Sequence, residues 1–173
     1  MNQAEALRAA AEAFELWQQE RLSDAEVLYR GAVAQADPSH YQTPDIHSQY
    51  AGVLTRLNRP AEAERHYERA LALELQHQPD EAHPAVIVAR YLLGEHYLRA
   101  GEPDSARRVV APSLVAADKP LAWLVEAEAL LLSGSILEAR AAAERALSLA
   151  ATPEQRERMR ARLSELWDGS EAG

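Results

Sequence analysis

A recurring pattern of small residues limits what this chain can fold into. Each of four copies has three small positions. A small residue is followed three positions later by an apolar or aromatic residue, then nine positions later by Ala, and seven positions after that by another small residue. Two antiparallel helices approach closely only where their side chains are small, so the pattern predicts four helical hairpins. The small positions are Ala13, Ala25 and Ala32; Ala51, Ala63 and Ala70; Gly94, Ala106 and Ser113; and Ala127, Ala139 and Ala146.

Over residues 6–151 this pattern resembles the tetratricopeptide repeat (TPR) family. The second copy matches best, through the run Asn58-Arg59-Pro60-Ala61-Glu62-Ala63. The connector Pro79-Asp80-Glu81-Ala82-His83-Pro84 is similar to those of the longer repeats of kinesin-light-chain type. Corresponding small residues lie 38, 43 and 33 positions apart (13 to 51, 51 to 94, 94 to 127), whereas the family spacing is about 34.

The resemblance implies an all-α, right-handed superhelical solenoid of about four TPR hairpins plus a C-terminal capping helix. We expect a single domain over residues 1–168, with repeats at about 6–39, 44–77, 87–120 and 120–152. A capping helix is expected at 153–167 and a disordered tail at 169–173. Thr152 is the expected N-cap of that helix, and Met159, Leu163, Leu166 and Trp167 form its apolar stripe.

Periodicity and turn residues predict where each helix begins and ends. Ser23 is the expected N-cap of the second helix, with Glu26 as its capping-box partner. Pro112 is expected to kink or end the sixth helix, since proline cannot donate the intrahelical hydrogen bond. The expected ranges are 2–19, 23–36, 45–57, 60–77, 85–100, 103–117, 121–133, 136–149 and 153–167.

Charge and composition argue against several classes of partner. The net charge of −9 disfavours nucleic acid and anionic membrane surfaces. The absence of Cys excludes disulfides and thiol chemistry. Glu5, Arg8 and Glu12 interrupt the first thirteen residues, which therefore do not resemble a signal peptide. We expect a cytoplasmic protein that contacts neither membrane nor nucleic acid.

No motif for catalysis or cofactor binding is found. The sequence has no Gly-x-Ser-x-Gly motif, no Gly-rich phosphate loop, and no two His residues four apart. Carboxylates such as Glu95 have Arg four residues later, which is typical of charge pairing on a helix surface. We expect a protein that is not an enzyme and that holds no metal or cofactor.

The family resemblance implies that the first helix of each hairpin lines a concave groove. Some family members clamp a C-terminal carboxylate there, but Ala10, Phe14 and Gln49 replace the charged and amide groups of that clamp. An apolar helical or extended segment is the favoured ligand. The alternative for Phe14 and Trp17 is packing against the next helix alone. The predicted groove residues are Phe14, Trp17, Gln18, Ser48, Thr55, Arg56, Tyr91, Glu95, Leu98, Arg99 and Glu128.

The favoured function is a non-catalytic protein-interaction module, an adaptor or scaffold that binds a segment of another protein. One alternative is a chaperone for an apolar segment of a secreted or assembling subunit. Another is a scaffold that self-associates as a homo-oligomer. An arginine cluster in the last helix is interpreted as a solvated capping face rather than a site for an acidic partner: Arg156, Arg158, Arg160 and Arg162.

Overall fold

A computed structural model describes residues 2–164 of the 173-residue chain. All regular structure in that range is helical, so the predicted all-α repeat fold is confirmed. No helix in it is both long and apolar enough to cross a membrane. The helices are α1 (Gln3–Gln18), α2 (Leu22–Val33), α3 (Thr43–Arg56), α4 (Pro60–His77), α5 (Pro84–Arg99), α6 (Pro103–Ala117), α7 (Pro120–Leu132), α8 (Ile136–Ser148) and α9 (Pro153–Arg162).

The helix ends follow from local sequence. Proline occupies the first position of five helices, where its missing N–H has no intrahelical partner to lose. The three turns within the later hairpins each use a residue with a left-handed backbone, and two of these are glycine. Their φ angles are 58° at Asn58, 75° at Gly101 and 77° at Gly134.

One local expectation is wrong. Ser23 is not an N-cap, because α2 begins one residue earlier and its N-cap Arg21 makes no side-chain capping bond. Pro112 lies inside α6 and does not end it, since the helix continues to Ala117, and a kink at this residue remains a prediction. The Thr152 cap is confirmed by a hydrogen bond of 3.1 Å from the Gln155 N–H. α9 ends at Arg162, and the predicted residues 165–167 and the tail lie outside the described range.

The described residues form two compact units, the first up to Asp80 and the second from Glu81. The single domain over residues 1–168 therefore remains a prediction. Within each unit the helices pair as two hairpins: α1 with α2, α3 with α4, α5 with α6, and α7 with α8. All twelve small positions are buried, which confirms the packing role assigned to them.

A buried carboxylate ties the helices of the first unit together. Glu26 on α2 accepts a hydrogen bond of 2.9 Å from the Tyr50 hydroxyl and one of 3.1 Å from Arg59. Tyr29 stacks on Tyr50 with ring centroids 6.0 Å apart and donates to Gln49 at 3.1 Å. Because these groups come from α2, α3 and the start of α4, they set the position of both hairpins in this unit.

In the second unit, Arg90 on α5 links Glu81, which precedes that helix, to α6. Its Nε and Nη2 both donate to the Glu81 carboxylate at 2.7 Å, and its Nη1 donates to the Val109 carbonyl at 2.8 Å. At the other end, Met159 and Leu163 are buried in the core built by α7 and α8. These two side chains hold α9 against the unit.

Candidate functional site

The predicted groove residues of the first unit lie on α1 and α3, and we call this set the α1–α3 face. It consists of Phe14, Trp17, Gln18, Ser48, Thr55 and Arg56. The indole of Trp17 lies against the backbone of Gly52, where an added Cβ would come within 2.7 Å of its Cη2 atom. Phe14 meets Trp17 edge to face at 6.0 Å and is 36% exposed. Trp17 thus packs against the neighbouring helix, while Phe14 remains open to solvent.

The polar groups of the α1–α3 face differ in how firmly they are held. Thr55 is committed to its own helix, since its hydroxyl donates to the Ala51 carbonyl at 2.9 Å. Arg56 pairs with Glu20 at 2.5 Å, and both side chains are more than half exposed. Gln18 is exposed and Ser48 is half-buried. An exposed ion pair costs little to rearrange, so Arg56 is free to reorient toward a ligand.

The remaining predicted residues lie in the second unit on what we call the α5–α7 face: Tyr91, Glu95, Leu98, Arg99 and Glu128. Four of them meet at one point, and Arg162 of α9 joins them there. Arg162 donates from Nε to Glu128, from Nη2 to both Glu95 and Glu128, and from Nη1 to the Tyr91 hydroxyl at 3.1 Å. Arg99 donates to the second oxygen of Glu95 at 3.3 Å. Leu98 is half-buried in the adjoining core.

Burial dominates the electrostatics of this cluster. Desolvation raises the pKa of the Glu128 carboxyl, although the Arg162 guanidinium acts in the opposite direction. Desolvation also raises the pKa of the Tyr91 hydroxyl. Burial acts to lower the pKa of Arg162, but its hydrogen bonds to Glu128 and Glu95 outweigh this and raise it. The guanidinium of Arg162 therefore favours the charged form of Glu128 against the effect of burial.

This geometry corrects two expectations. Glu95 does pair with Arg99, but Glu95 is only 6% exposed and is not part of an ordinary charged surface. Arg162 does not belong to a solvated capping face, because its guanidinium is turned into the α5–α7 face. The spacing carried a signal that was missed. Arg162 follows Glu128 by 34 residues and Glu95 by 67, so it continues the repeat register into α9.

A pocket of about 220 Å³ opens beside the guanidinium of Arg162. Leu121, Leu124 and Met159 give it an apolar floor, while Arg158 and Gln155 add polar groups from α9. The pocket is large enough for one aliphatic side chain, and the Arg162 side chain that lines it is 34% exposed.

Two histidines of the first unit also lie in contact. The Nδ1 atoms of His47 and His66 are 2.9 Å apart, and the rings are stacked. Burial, then the neighbouring charges of His66 and Arg69, lower the pKa of His47 to about 4. Within residues 2–164 no group of three or more His, Asp or Glu side chains is arranged to hold a metal ion.

Helical hairpins with buried small residues at their crossings define an all-α repeat protein. A tetratricopeptide repeat family model matches residues 42–111, which include α3, α4, α5 and most of α6. The predicted resemblance to this family is thereby confirmed. Repeats of this family are in general non-enzymatic interaction modules. A search of curated proteins gives no match.

Solved structures with the same fold include a Podosopora anserina protein described as a kinesin light chain with nearly identical TPR-like repeats. The TM-score is 0.78 at 17% identity, with 98% of this chain and 89% of that chain covered. BtubC (BKLC) from P. vanneervenii gives 0.71 at 16%, covering 96% and 82%. Pseudomonas aeruginosa pilF gives 0.66 at 21%, covering 96% and 71%. At these identities the similarity shows the fold alone.

Proposed function

We propose that this chain is a non-catalytic interaction module that binds a segment of another protein on the α1–α3 face. An exposed aromatic ring on a face otherwise lined by small and polar groups is a typical anchor point for a protein ligand. The ring of Phe14 is such a group, and Trp17 supports it from one side. The exposed ring of Phe14, with the half-buried Trp17 packed at its edge, is the observation that carries the proposal.

The chemistry of the face favours an apolar side chain flanked by polar backbone. Phe14 offers its ring, and Gln18 one helical turn later offers an exposed amide that can both donate and accept. Arg56 can leave Glu20 and donate to a ligand carbonyl or carboxylate. A helical or extended segment with one large apolar side chain satisfies all three groups.

The test compares Phe14→Ala with Val27→Ala. Val27 is a matched control because it is an exposed apolar side chain of the same unit, 56% exposed, on α2 rather than on the α1–α3 face. Partners are first captured from the native host with the wild-type chain, and one purified partner is then titrated into all three proteins. Loss of a central aromatic anchor costs at least about 2 kcal/mol, or roughly thirtyfold in Kd. Equal weakening by both variants would refute the proposal.

The two alternative functions predict different results for the same proteins. A chaperone keeps its co-expressed partner soluble, and Phe14→Ala abolishes that effect. A self-associating scaffold has a mass above 19.1 kDa in sedimentation, falling on dilution. A cytoplasmic location remains part of this proposal, and fractionation of the host cell tests it.

A further inference from the structure

The guanidinium of Arg162 occupies a site that is built like a receptor for arginine. Each of its three nitrogens donates, to Glu95, to Glu128 or to the Tyr91 hydroxyl. The acceptors come from two helices, α5 and α7, whereas the guanidinium comes from a third, α9. A planar fork matched by carboxylates on one edge and a hydroxyl on the other is specific for arginine over lysine.

The contact of Arg162 is separate from the packing that holds α9. Met159 and Leu163 are buried in the α7–α8 core at 4% and 0% exposure, and Arg156 donates to the Leu147 carbonyl at 3.2 Å, so α9 has contacts with α8 besides the guanidinium. The Arg162 side chain can therefore swing out while α9 stays in place. Its departure would leave Glu95 paired with Arg99 alone and would remove the hydrogen bonds that Glu128 accepts from the guanidinium, which is unfavourable unless another cation takes its place.

Space for an incoming ligand lies directly beside this site. The pocket of about 220 Å³ described above is bounded by Arg162 and Tyr91, and its floor is apolar. An arginine that replaced Arg162 would place a neighbouring aliphatic side chain there. The net charge of −9 on the chain attracts cationic segments over longer distances.

We propose that Glu95, Glu128 and Tyr91 form an arginine-binding site for a partner segment, and that Arg162 is an internal competitor which fills this site in the free protein. The proposal goes beyond the proposed function, since it concerns a partner segment bound on the α5–α7 face of the second unit, with an arginine next to an aliphatic residue. A partner must displace Arg162 to bind, which makes α9 an autoinhibitory element of the α5–α7 face.

The experiment measures binding of a small probe, Nα-acetyl-arginine amide, by NMR titration of the full chain. Arg162→Ala removes the competitor, and Arg160→Ala is the matched control because Arg160 is exposed on the same helix. We expect the first variant to bind the probe at least about tenfold more tightly than the wild type or the control. Nα-acetyl-lysine amide should bind more weakly, and the neutral citrulline analogue should not bind. Adding Glu128→Gln to Arg162→Ala should abolish the gain.

Three results would overturn the proposal. One is an Arg162→Ala chain that is folded by circular dichroism but binds the probe no more tightly than the wild type. Another is equal binding of the arginine and lysine probes, which would indicate charge attraction alone. If Arg162→Ala does not fold, Arg162→Lys keeps the charge without the fork and should show a smaller gain in probe affinity. The third result is failure of both variants to fold, which would show that Arg162 is a structural ion-pair partner that a ligand cannot replace.

The probe experiment is independent of the test of the proposed function. Phe14→Ala acts in the first unit and requires a captured partner, whereas the probe acts in the second unit and requires none. A partner that depends on Phe14 together with a probe that does not bind would refute only the arginine site. Probe binding without any partner dependent on Phe14 would refute only the proposed function.

Discussion

Adding one methyl group at Gly52 tests whether the Trp17 indole is held against α3 as described. A Cβ at this position would lie 2.7 Å from Cη2 and 3.2 Å from Cζ2 of Trp17. Such separations are well below normal van der Waals contact, so the indole or the helix must move. Gly31 on α2 offers the matched control, because a Cβ there meets no atom within 4 Å. Both glycines lie in helices of the same unit.

The expected magnitudes follow from two opposing effects. Replacing Gly by Ala inside a helix stabilises the folded state by about 0.5–1 kcal/mol, mainly through the entropy of the unfolded chain. Gly31→Ala should show this gain alone. Gly52→Ala has the same gain but also overpacks Trp17, at a cost of about 1–3 kcal/mol. Because Trp17 is only half-buried and can shift, we expect a cost near the lower end. The difference between the variants should be about 1–2 kcal/mol.

Urea unfolding followed by circular dichroism at 222 nm measures both variants, and near-ultraviolet circular dichroism reports the setting of the indole. The comparison within one unit avoids mixing the stabilities of two units that can unfold separately. Gly52→Ala should also change the near-ultraviolet spectrum, whereas Gly31→Ala should not. If Gly52→Ala were as stable as Gly31→Ala with an unchanged spectrum, Trp17 would not pack on Gly52, and the account of the α1–α3 face would be wrong.

Three further predictions concern the cores of the two units. Gly94→Ala should destabilise the second unit by up to about 2 kcal/mol in urea unfolding, because its Cβ would lie 2.9 Å from the fully buried Val125 and this overpacking outweighs the helix gain. Glu26→Gln should destabilise the first unit by about 1–3 kcal/mol, since it removes the charge from a buried hydrogen-bonded carboxylate. The pKa of His47 is about 4 in the folded chain and about 6.5 when unfolded, so the folded state binds fewer protons and stability should fall by at most about 3 kcal/mol from pH 6.5 to 4. His47→Asn should flatten this part of the pH profile, and an unchanged slope would contradict the pKa lowered by burial of His47.

The helices and their pairing were predictable because they depend on residues close together in sequence. A small residue, a turn and a second small residue lie within about twenty positions of each other, and Pro or Gly marks most of the ends. Thr152 was predictable as a cap for the same reason. Ser23 shows the limit of this argument. It is a residue type that often caps helices, but Glu26, its expected capping-box partner, instead accepts hydrogen bonds from Tyr50 and Arg59. Local sequence cannot place those two residues next to Glu26.

The candidate sites were predictable only as sets of positions. Register placed Phe14 and Trp17 on one face, but it did not show that Gly52 receives the indole and leaves the phenyl ring exposed. Likewise it named Glu95 and Glu128 without showing that they share one cation. Which side chains meet depends on packing between helices, and here the deciding residue comes from 67 positions along the chain.

The position of Arg162 suggests how a last helix can serve both packing and binding. A terminal helix of a repeat array needs one apolar face for the preceding hairpin, and Met159 and Leu163 provide it. In the register of the earlier repeats, the position equivalent to Glu95 and Glu128 faces the same surface as they do. Glu95 is buried and Glu128 is largely buried, so a cation between them is favourable, and Arg162 on α9 supplies one within the same chain. In the arginine site that we propose, Arg162 compensates the charge of the carboxylates in the free chain. An arginine of a ligand can then bind only by displacing Arg162.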